Sequence, residues 1–195
     1  MTNNYISTFK NRLQKSVELK QSVLLDQSIL MRLEKIVELC LDCYRNKSGT
    51  LFFAGNGGSA ADAQHLAAEL VSRFYKDRRG LPAMALHVNT STLTAIANDY
   101  SYEKIFAKQL EAFAKPGDVF IGLSTSGNSK NVIEALEYCR RHQVATVGFT
   151  GETGGKMKEL CDVLINVPAT DTPRIQEVHL HLGHTLCEIL EAELF

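Results

Sequence analysis

Leu51-Phe-Phe-Ala-Gly-Asn-Gly-Gly-Ser-Ala-Ala-Asp-Ala-Gln-His-Leu-Ala-Ala-Glu-Leu70 is the stretch from which the fold can be read. Leu51 to Ala54 is a continuous apolar run, the pattern of a parallel strand covered on both faces. Gly55, Gly57 and Gly58 let the backbone turn sharply and approach a ligand closely. Ser59 stands where the N-cap of a following helix is expected, which would aim the free N–H groups of the first turn back at the loop. Such a turn suits a phosphate or another anion. Asp62, His65 and Glu69 follow at spacings of three and four, on one helical face. The bland alternative is an ordinary α/β turn with a solvated helix face. The loop fits neither G-x-G-x-x-G nor the P-loop, since no Gly-Lys-Ser/Thr follows.

On the N-terminal side, apolar residues recur at three-and-four spacing over 5–20 and 28–45, giving two amphipathic helices. Their apolar faces need a cover, and a partner subunit could supply it. On the C-terminal side, strands are expected at 83–88, 119–123, 145–149 and 163–167. Helices are expected at 59–74, 91–97, 102–113 and 130–142, then a short one ending at 160 and a last one over 174–193. Lys115-Pro-Gly-Asp118 is a turn in which proline sets φ and glycine opens it. Five strands alternating with helices imply an α/β three-layer sandwich around a parallel sheet. The order expected for such a flavodoxin-like sheet is 2-1-3-4-5, with ligands bound at the strand carboxyl ends beside the reversal. That order sets the Gly55–Ser59 loop next to Ser124–Ser129.

At 195 residues the chain suits a single domain, 1–195, whose first 47 residues form a helical arm suited to oligomerisation. A net charge of −1 argues against a nucleic acid or an anionic membrane as the main partner. No apolar run approaches the roughly 18–20 residues that span a bilayer. The start, Met-Thr-Asn-Asn-Tyr-Ile, lacks a charged segment followed by an apolar one, so a cytoplasmic protein is expected. Five scattered cysteines point to free thiols in a reducing compartment. Cys40-Leu-Asp-Cys43 lies within a helical apolar pattern and has no second pair, so core packing is expected rather than zinc or redox chemistry.

Ser124, Thr125, Ser126 and Ser129 surround Gly127 just ahead of a helix. Hydroxyls, backbone N–H groups and the positive helix end together make an anion cradle without lysine. Capping and turn formation alone could also account for these residues. With the serine loop in hand, phosphate binding shifts there, and Gly55–Ser59 becomes the contact for the sugar body. A Rossmann dinucleotide site is disfavoured, because its glycine fingerprint and ribose-binding acid are missing, and no nucleotide cofactor is expected. The last helix carries Gln176, Glu177, His179, His181 and His184. Gln176 and His184 lie about 12 Å apart along a straight helix, so both could hold one metal ion only through a kink or a second subunit. A phosphorylated small substrate with Glu69 as base and a histidine as acid could undergo proton transfer between adjacent carbons.

In combination, Asn56-Gly-Gly-Ser59, His65, Glu69, Ala97-Asn-Asp99, Leu123-Ser-Thr-Ser-Gly-Asn-Ser129 and Thr172-Pro-Arg-Ile-Gln-Glu177 resemble the sugar isomerase (SIS) domain. More narrowly they resemble the bacterial phosphoheptose isomerase family, over nearly the whole chain. The resemblance implies conversion of sedoheptulose 7-phosphate to D-glycero-D-manno-heptose 7-phosphate, the first step toward heptoses of lipopolysaccharide and other surface glycans. It implies a cytoplasmic homotetramer with active sites between subunits. By motif, Asn56, Gly57, Gly58, Ser59, Asn98, Asp99 and Gln176 would contact substrate, and Ser124, Thr125, Ser126 and Ser129 would hold its phosphate. Glu69 would be the base, also in contact with substrate, and His184 the acid. His65, Glu69, Gln176 and His184 would be the zinc ligands in members that bind the metal. The alternative is a non-catalytic SIS protein that binds the replication initiator DnaA. That relative departs from the pattern at the position of Glu69 and in the serine loop, both kept in this chain.

Overall fold

The computed structural model describes residues 4–195. In chain order the elements are α1 (Tyr5–Leu25), α2 (Gln27–Asn46), β1 (Leu51–Ala54), α3 (Gly58–Val71), β2 (Ala83–Ala85), α4 (Thr90–Asp99), α5 (Ala107–Phe113), β3 (Val119–Leu123), α6 (Lys130–Arg141), β4 (Ala145–Thr150), β5 (Val163–Asn166) and α7 (Thr172–Leu194). The strands form one sheet in the order β2-β1-β3-β4-β5, every neighbouring pair parallel. The chain therefore has the expected three-layer α/β architecture, and β1 pairs with both β2 and β3 at the point where the order reverses.

Alternation along the buried strands explains the layers. Leu51 and Phe53 of β1, Val119, Ile121 and Leu123 of β3, and Val147 and Phe149 of β4 point to one face. There they meet Ile29, Leu33 and Ile36 of α2, Leu66 and Leu70 of α3, and Leu182, Leu186 and Leu190 of α7. Phe52, Ala54 and Phe120 point to the opposite face, against Ile105, Phe106, Leu110, Val132 and Leu136. Cys40 and Cys43 lie in the first of these cores, as their helical setting implies. Burial pushes the Cys43 thiol up to about 12, far from the thiolate range that redox or metal chemistry requires.

Local chemistry accounts for the helix starts. Asn4 caps α1 at Ser7 N, Asp26 caps α2 at Ser28 N and Ile29 N, and Asn89 caps α4 at Thr92 N. The Asp118 carboxylate accepts from Thr50 N and Lys115 N, tying the Lys115–Asp118 turn to the start of β1.

Three expectations need correction. Ser59 is not the N-cap of α3; Gly57 is, in a positive-φ conformation of 56° that its missing Cβ permits. Ser59 is the second residue of the helix, buried, where Gln176 donates to its hydroxyl. The helix expected over 102–113 breaks into a 3-10 turn, Tyr102–Lys104, and α5. Its buried junction residues Ile105 and Phe106 turn into the second core, and the Gln109 side chain takes the Ile105 carbonyl. The second strand stops at Ala85, because the chain turns at Leu86 to reach the Asn89 cap of α4. Of the N-terminal arm, α2 covers its apolar face on this chain's own core. The uncovered apolar residues belong mainly to α1: Ile6, Phe9, Leu13, Val17 and Leu24 are all more than half exposed.

Candidate active site

Two glycine contacts bring the catalytic candidates together. A Cβ built on Gly183 of α7 would lie 2.5 Å from the Leu66 side chain, so the missing side chain lets α7 approach α3 closely. His184, the next residue, thereby meets the polar face of α3. Its Nε2 lies 2.7 Å from His65 Nε2, and His65 Nε2 lies 3.1 Å from Glu69 Oε1. Ligand atoms of His65, Glu69 and His184 all fall within 4.8 Å of one another, the one such His/Cys/Asp/Glu group among the described residues. At the other end of α7, a Cβ on Gly58 would lie 2.7 Å from the Gln176 amide, so Gln176 sits directly on the glycine loop.

Gln176 and His184 thus occupy separate places on one continuous helix, as the 1.5 Å rise per residue requires. Gln176 donates to Ser59 Oγ at 3.3 Å, and His184 faces His65. His179 and His181 lie outside this arrangement. His179 is fully buried, with Nε2 3.1 Å from the Thr150 carbonyl, and burial lowers it to about 4, so it is a neutral core residue. His181 is exposed.

The serine loop is built on close backbone packing. Gly127 has φ of 66°, and a side chain there would strike the Gly154 carbonyl. Ser129 occupies the N-cap position of α6, yet its hydroxyl makes no capping bond. It pairs instead with Ser124 Oγ at 2.8 Å, while Ser126 Oγ accepts from Asn128 N. Simple capping therefore does not explain the Ser129 hydroxyl. Thr125 is half-buried on the same turn, and its carbonyl accepts from Gly151 N.

Asn131 and Tyr102 join the two loops and were not singled out from the sequence. Asn56 and Asn131 exchange side-chain hydrogen bonds of 2.9 and 2.8 Å, and Tyr102 Oη donates to Asn56 Oδ1 at 2.9 Å. Asn131 lies two residues beyond the serine loop, which was the available signal. Asn98 and Asp99, at the end of α4, are exposed and hydrogen-bond to each other at 3.0 Å. Asp62 turns aside: its Oδ2 is buried without a partner, and burial raises its carboxyl. His87, two residues beyond β2, has both ring nitrogens buried, and burial lowers it.

Two imidazole nitrogens and a carboxylate oxygen on facing helices form a donor set of the type that holds catalytic zinc. The 2.7 Å approach of two ring nitrogens is that of a hydrogen bond, one nitrogen donating and the other accepting, because two bare lone pairs would repel. His65, Glu69 and His184 therefore fit a divalent metal, whereas Gln176 of the same chain stands apart from them.

A parallel 2-1-3-4-5 sheet with a glycine loop, a serine loop and a carboxylate–imidazole group at its carboxyl end defines a SIS-domain protein, and the SIS domain family pattern matches residues 11–151. The phosphoheptose isomerase of Aneurinibacillus thermoaerophilus is 51% identical over 99% of this chain and 96% of its own length. Phosphoheptose isomerase 2 of Campylobacter jejuni is 50% identical over 98% and 95%. The structure of phosphoheptose isomerase GmhA from Neisseria gonorrhoeae is 39% identical and superposes with a TM-score of 0.90 over 97% of this chain and all of that one. The chain belongs to the phosphoheptose isomerase family and is an aldose–ketose isomerase of sugar phosphates. Each of these relatives is named as an isomerase, which sets aside the reading as a DnaA-binding protein.

Proposed function

We propose that the protein converts sedoheptulose 7-phosphate to D-glycero-D-manno-heptose 7-phosphate, with Glu69 as base and His184 as acid. The supporting observation is the convergence of Glu69, His65 and His184 beside two loops rich in donors. The serine loop binds the phosphate through Ser124, Thr125, Ser126 and Ser129 and the N-terminus of α6. Asn56, Gly57, Gly58, Ser59, Gln176, Asn98 and Asp99 contact the polyhydroxyl chain. Asn131 and Tyr102 hold the Asn56 amide in one orientation.

Glu69 removes the proton from C1 of the ketose, and the C–H electron pair forms the C1–C2 double bond. The C2 carbonyl oxygen takes a proton from His184, which gives an enediol. The O1 proton then leaves to the imidazole as the C1 carbonyl forms, and the Glu69 carboxyl returns a proton to C2. No proton is gained or lost overall. His65 Nε2 lies within reach of both groups and hydrogen-bonds to them through that one nitrogen, which orients them toward each other.

Zinc, if bound, would be held by His65, Glu69 and His184 and would supply polarisation of the substrate oxygens. Gln176 would join that ligand set only from another subunit. A homotetramer with intersubunit sites fits this separation and the uncovered apolar face of α1. The product would feed heptose synthesis for surface glycans in the cytoplasm.

Incubation with sedoheptulose 7-phosphate, followed by NMR, tests the reading. Wild type yields the aldose, and E69Q and H184A each lose about 10²–10⁴-fold in kcat while remaining folded. Full activity in either variant ends that residue's assignment. No turnover by wild type ends the substrate assignment.

A further inference from the structure

We infer that Glu191 and Arg78 are positioning residues for the isomerisation, one buried pair that fixes Glu69 and His184 together. The inference rests on those two residues performing the chemistry. The side chains of Glu191 and Arg78 are each only 2% exposed, and Oε1 meets Nε at 2.9 Å. Glu191 also accepts from the backbone N–H groups of Phe74, Tyr75 and Lys76 at 2.9, 2.7 and 2.9 Å. A carboxylate on α7 thereby gathers the turn that leaves α3.

One arm of this hub ends on the backbone of Glu69 and the other beside the His184 ring. Arg78 donates to the carbonyls of Glu69 and Leu70 at 3.0 and 2.9 Å. Those are C-terminal carbonyls of α3, which lack helical partners and carry the negative end of the helix dipole. A guanidinium there holds the helical turn from which Glu69 projects. The other arm runs through the captured turn, which presses the Phe74 ring against His184 at a centroid distance of 6.0 Å. Glu191 and His184 lie about two turns apart on α7, hence on the same face toward α3.

A purely stabilising role accounts for the burial but not for this distribution. Buried ion pairs can often be exchanged for apolar residues without loss of stability, whereas they impose geometry. Here every bond beyond the pair itself goes to the segment 69–79, which carries Glu69 at one end and touches His184 through Phe74. Lysine at position 78 would keep the charge but could not fork between Glu191 and two carbonyls.

The test compares R78K in the wild-type and E69Q backgrounds, on full-length protein at 25 °C with folding checked by circular dichroism. R78K is expected to lower kcat at least tenfold with KM changed less than twofold, since the phosphate and hydroxyl contacts are untouched. In the E69Q background the same change should cost less than twofold, because the group it positions is already gone. An unchanged kcat in folded R78K overturns the inference, and so does an equal loss in both backgrounds. Full activity of E69Q alone instead overturns the assignment of Glu69, and the Arg78 arm falls with it. Where R78K does not fold, Phe74→Leu, read in the same way against H184A, decides the matter.

Discussion

His65 and His184 face each other through their Nε2 atoms at 2.7 Å, although 119 positions separate them in the chain. One nitrogen must carry a proton for the other to accept. A metal ion binding there needs both Nε2 lone pairs, and a neutral imidazole frees its own by carrying its proton on Nδ1. Titration calorimetry with zinc chloride should therefore show uptake at neutral pH. His65→Ala should weaken uptake at least tenfold, the scale expected when a ligand is lost. Absence of uptake, together with activity indifferent to a chelator, removes the metal from the mechanism.

The paired Ser124 and Ser129 hydroxyls predict a binding defect rather than a chemical one. Hydrogen bonds to charged groups contribute about 1.5–3 kcal/mol each. Ser124→Ala and Ser129→Ala should each raise KM about tenfold or more, with kcat within about threefold of wild type. Competitive inhibition by inorganic phosphate should weaken in parallel. A fall in kcat at constant KM would assign these residues elsewhere.

Gly183 faces Leu66 with no room for a methyl group. Gly183→Ala should cost about 1–3 kcal/mol by overpacking, read as a lower urea midpoint. Because α7 would be pushed off α3, activity should fall with it. Adding Leu66→Val should recover part of both losses; if the double variant is no better than the single one, the contact is not what limits the approach.

Burial alone would raise the Glu191 carboxyl above its ordinary 4.5, but the backbone donors at Lys76, Phe74 and Tyr75 and the Arg78 guanidinium outweigh it and hold it at about 2. A lowered folded-state value contributes stability that is complete above about pH 4.5 and disappears as pH falls toward 2. Removing one member of a buried pair costs about 3–5 kcal/mol. Urea unfolding should show E191Q well below wild type at pH 6 and the gap narrowing through pH 3. A gap independent of pH would mean that the carboxylate charge contributes nothing.

The apolar residues of α1 predict an assembly surface. Ile6, Phe9, Leu13 and Val17 recur at three- and four-residue spacing and are exposed. Light scattering should give the mass of four chains for wild type and a smaller species for the double variant Phe9→Asp, Leu13→Asp. Activity should fall with dissociation if a neighbouring chain completes the site. A wild-type monomer with full activity would end the tetramer proposal.

Much of this fold was legible in local sequence, for identifiable reasons. Apolar runs such as Leu51–Ala54 and Val119–Leu123 have the length and composition of buried parallel strands, and their number with the intervening helices limits the topology to very few choices. The polar face Asp62, His65, Glu69 and the serine cluster around Gly127 were visible too, because helical period and turn chemistry depend on near neighbours. Local signals misplaced the N-cap at Ser59, since both Gly57 and Ser59 suit that position and only the packing of Gln176 chooses.

Tertiary structure decided what those residues do to one another. Asp62 shares the face of His65 and Glu69 in sequence, yet its carboxylate turns into a buried, unpartnered position, while His184 comes in from a distant helix. Nothing local distinguishes His184 from His179 or His181; the close approach at Gly183 and Leu66 does. Arg78 and Glu191 read as two ordinary surface charges until the fold buries them together under the turn that leaves α3. Helical period and turn chemistry act within a few residues and are written in the sequence. Close approach, burial and pairing act between segments more than a hundred residues apart, and only the packed chain defines them.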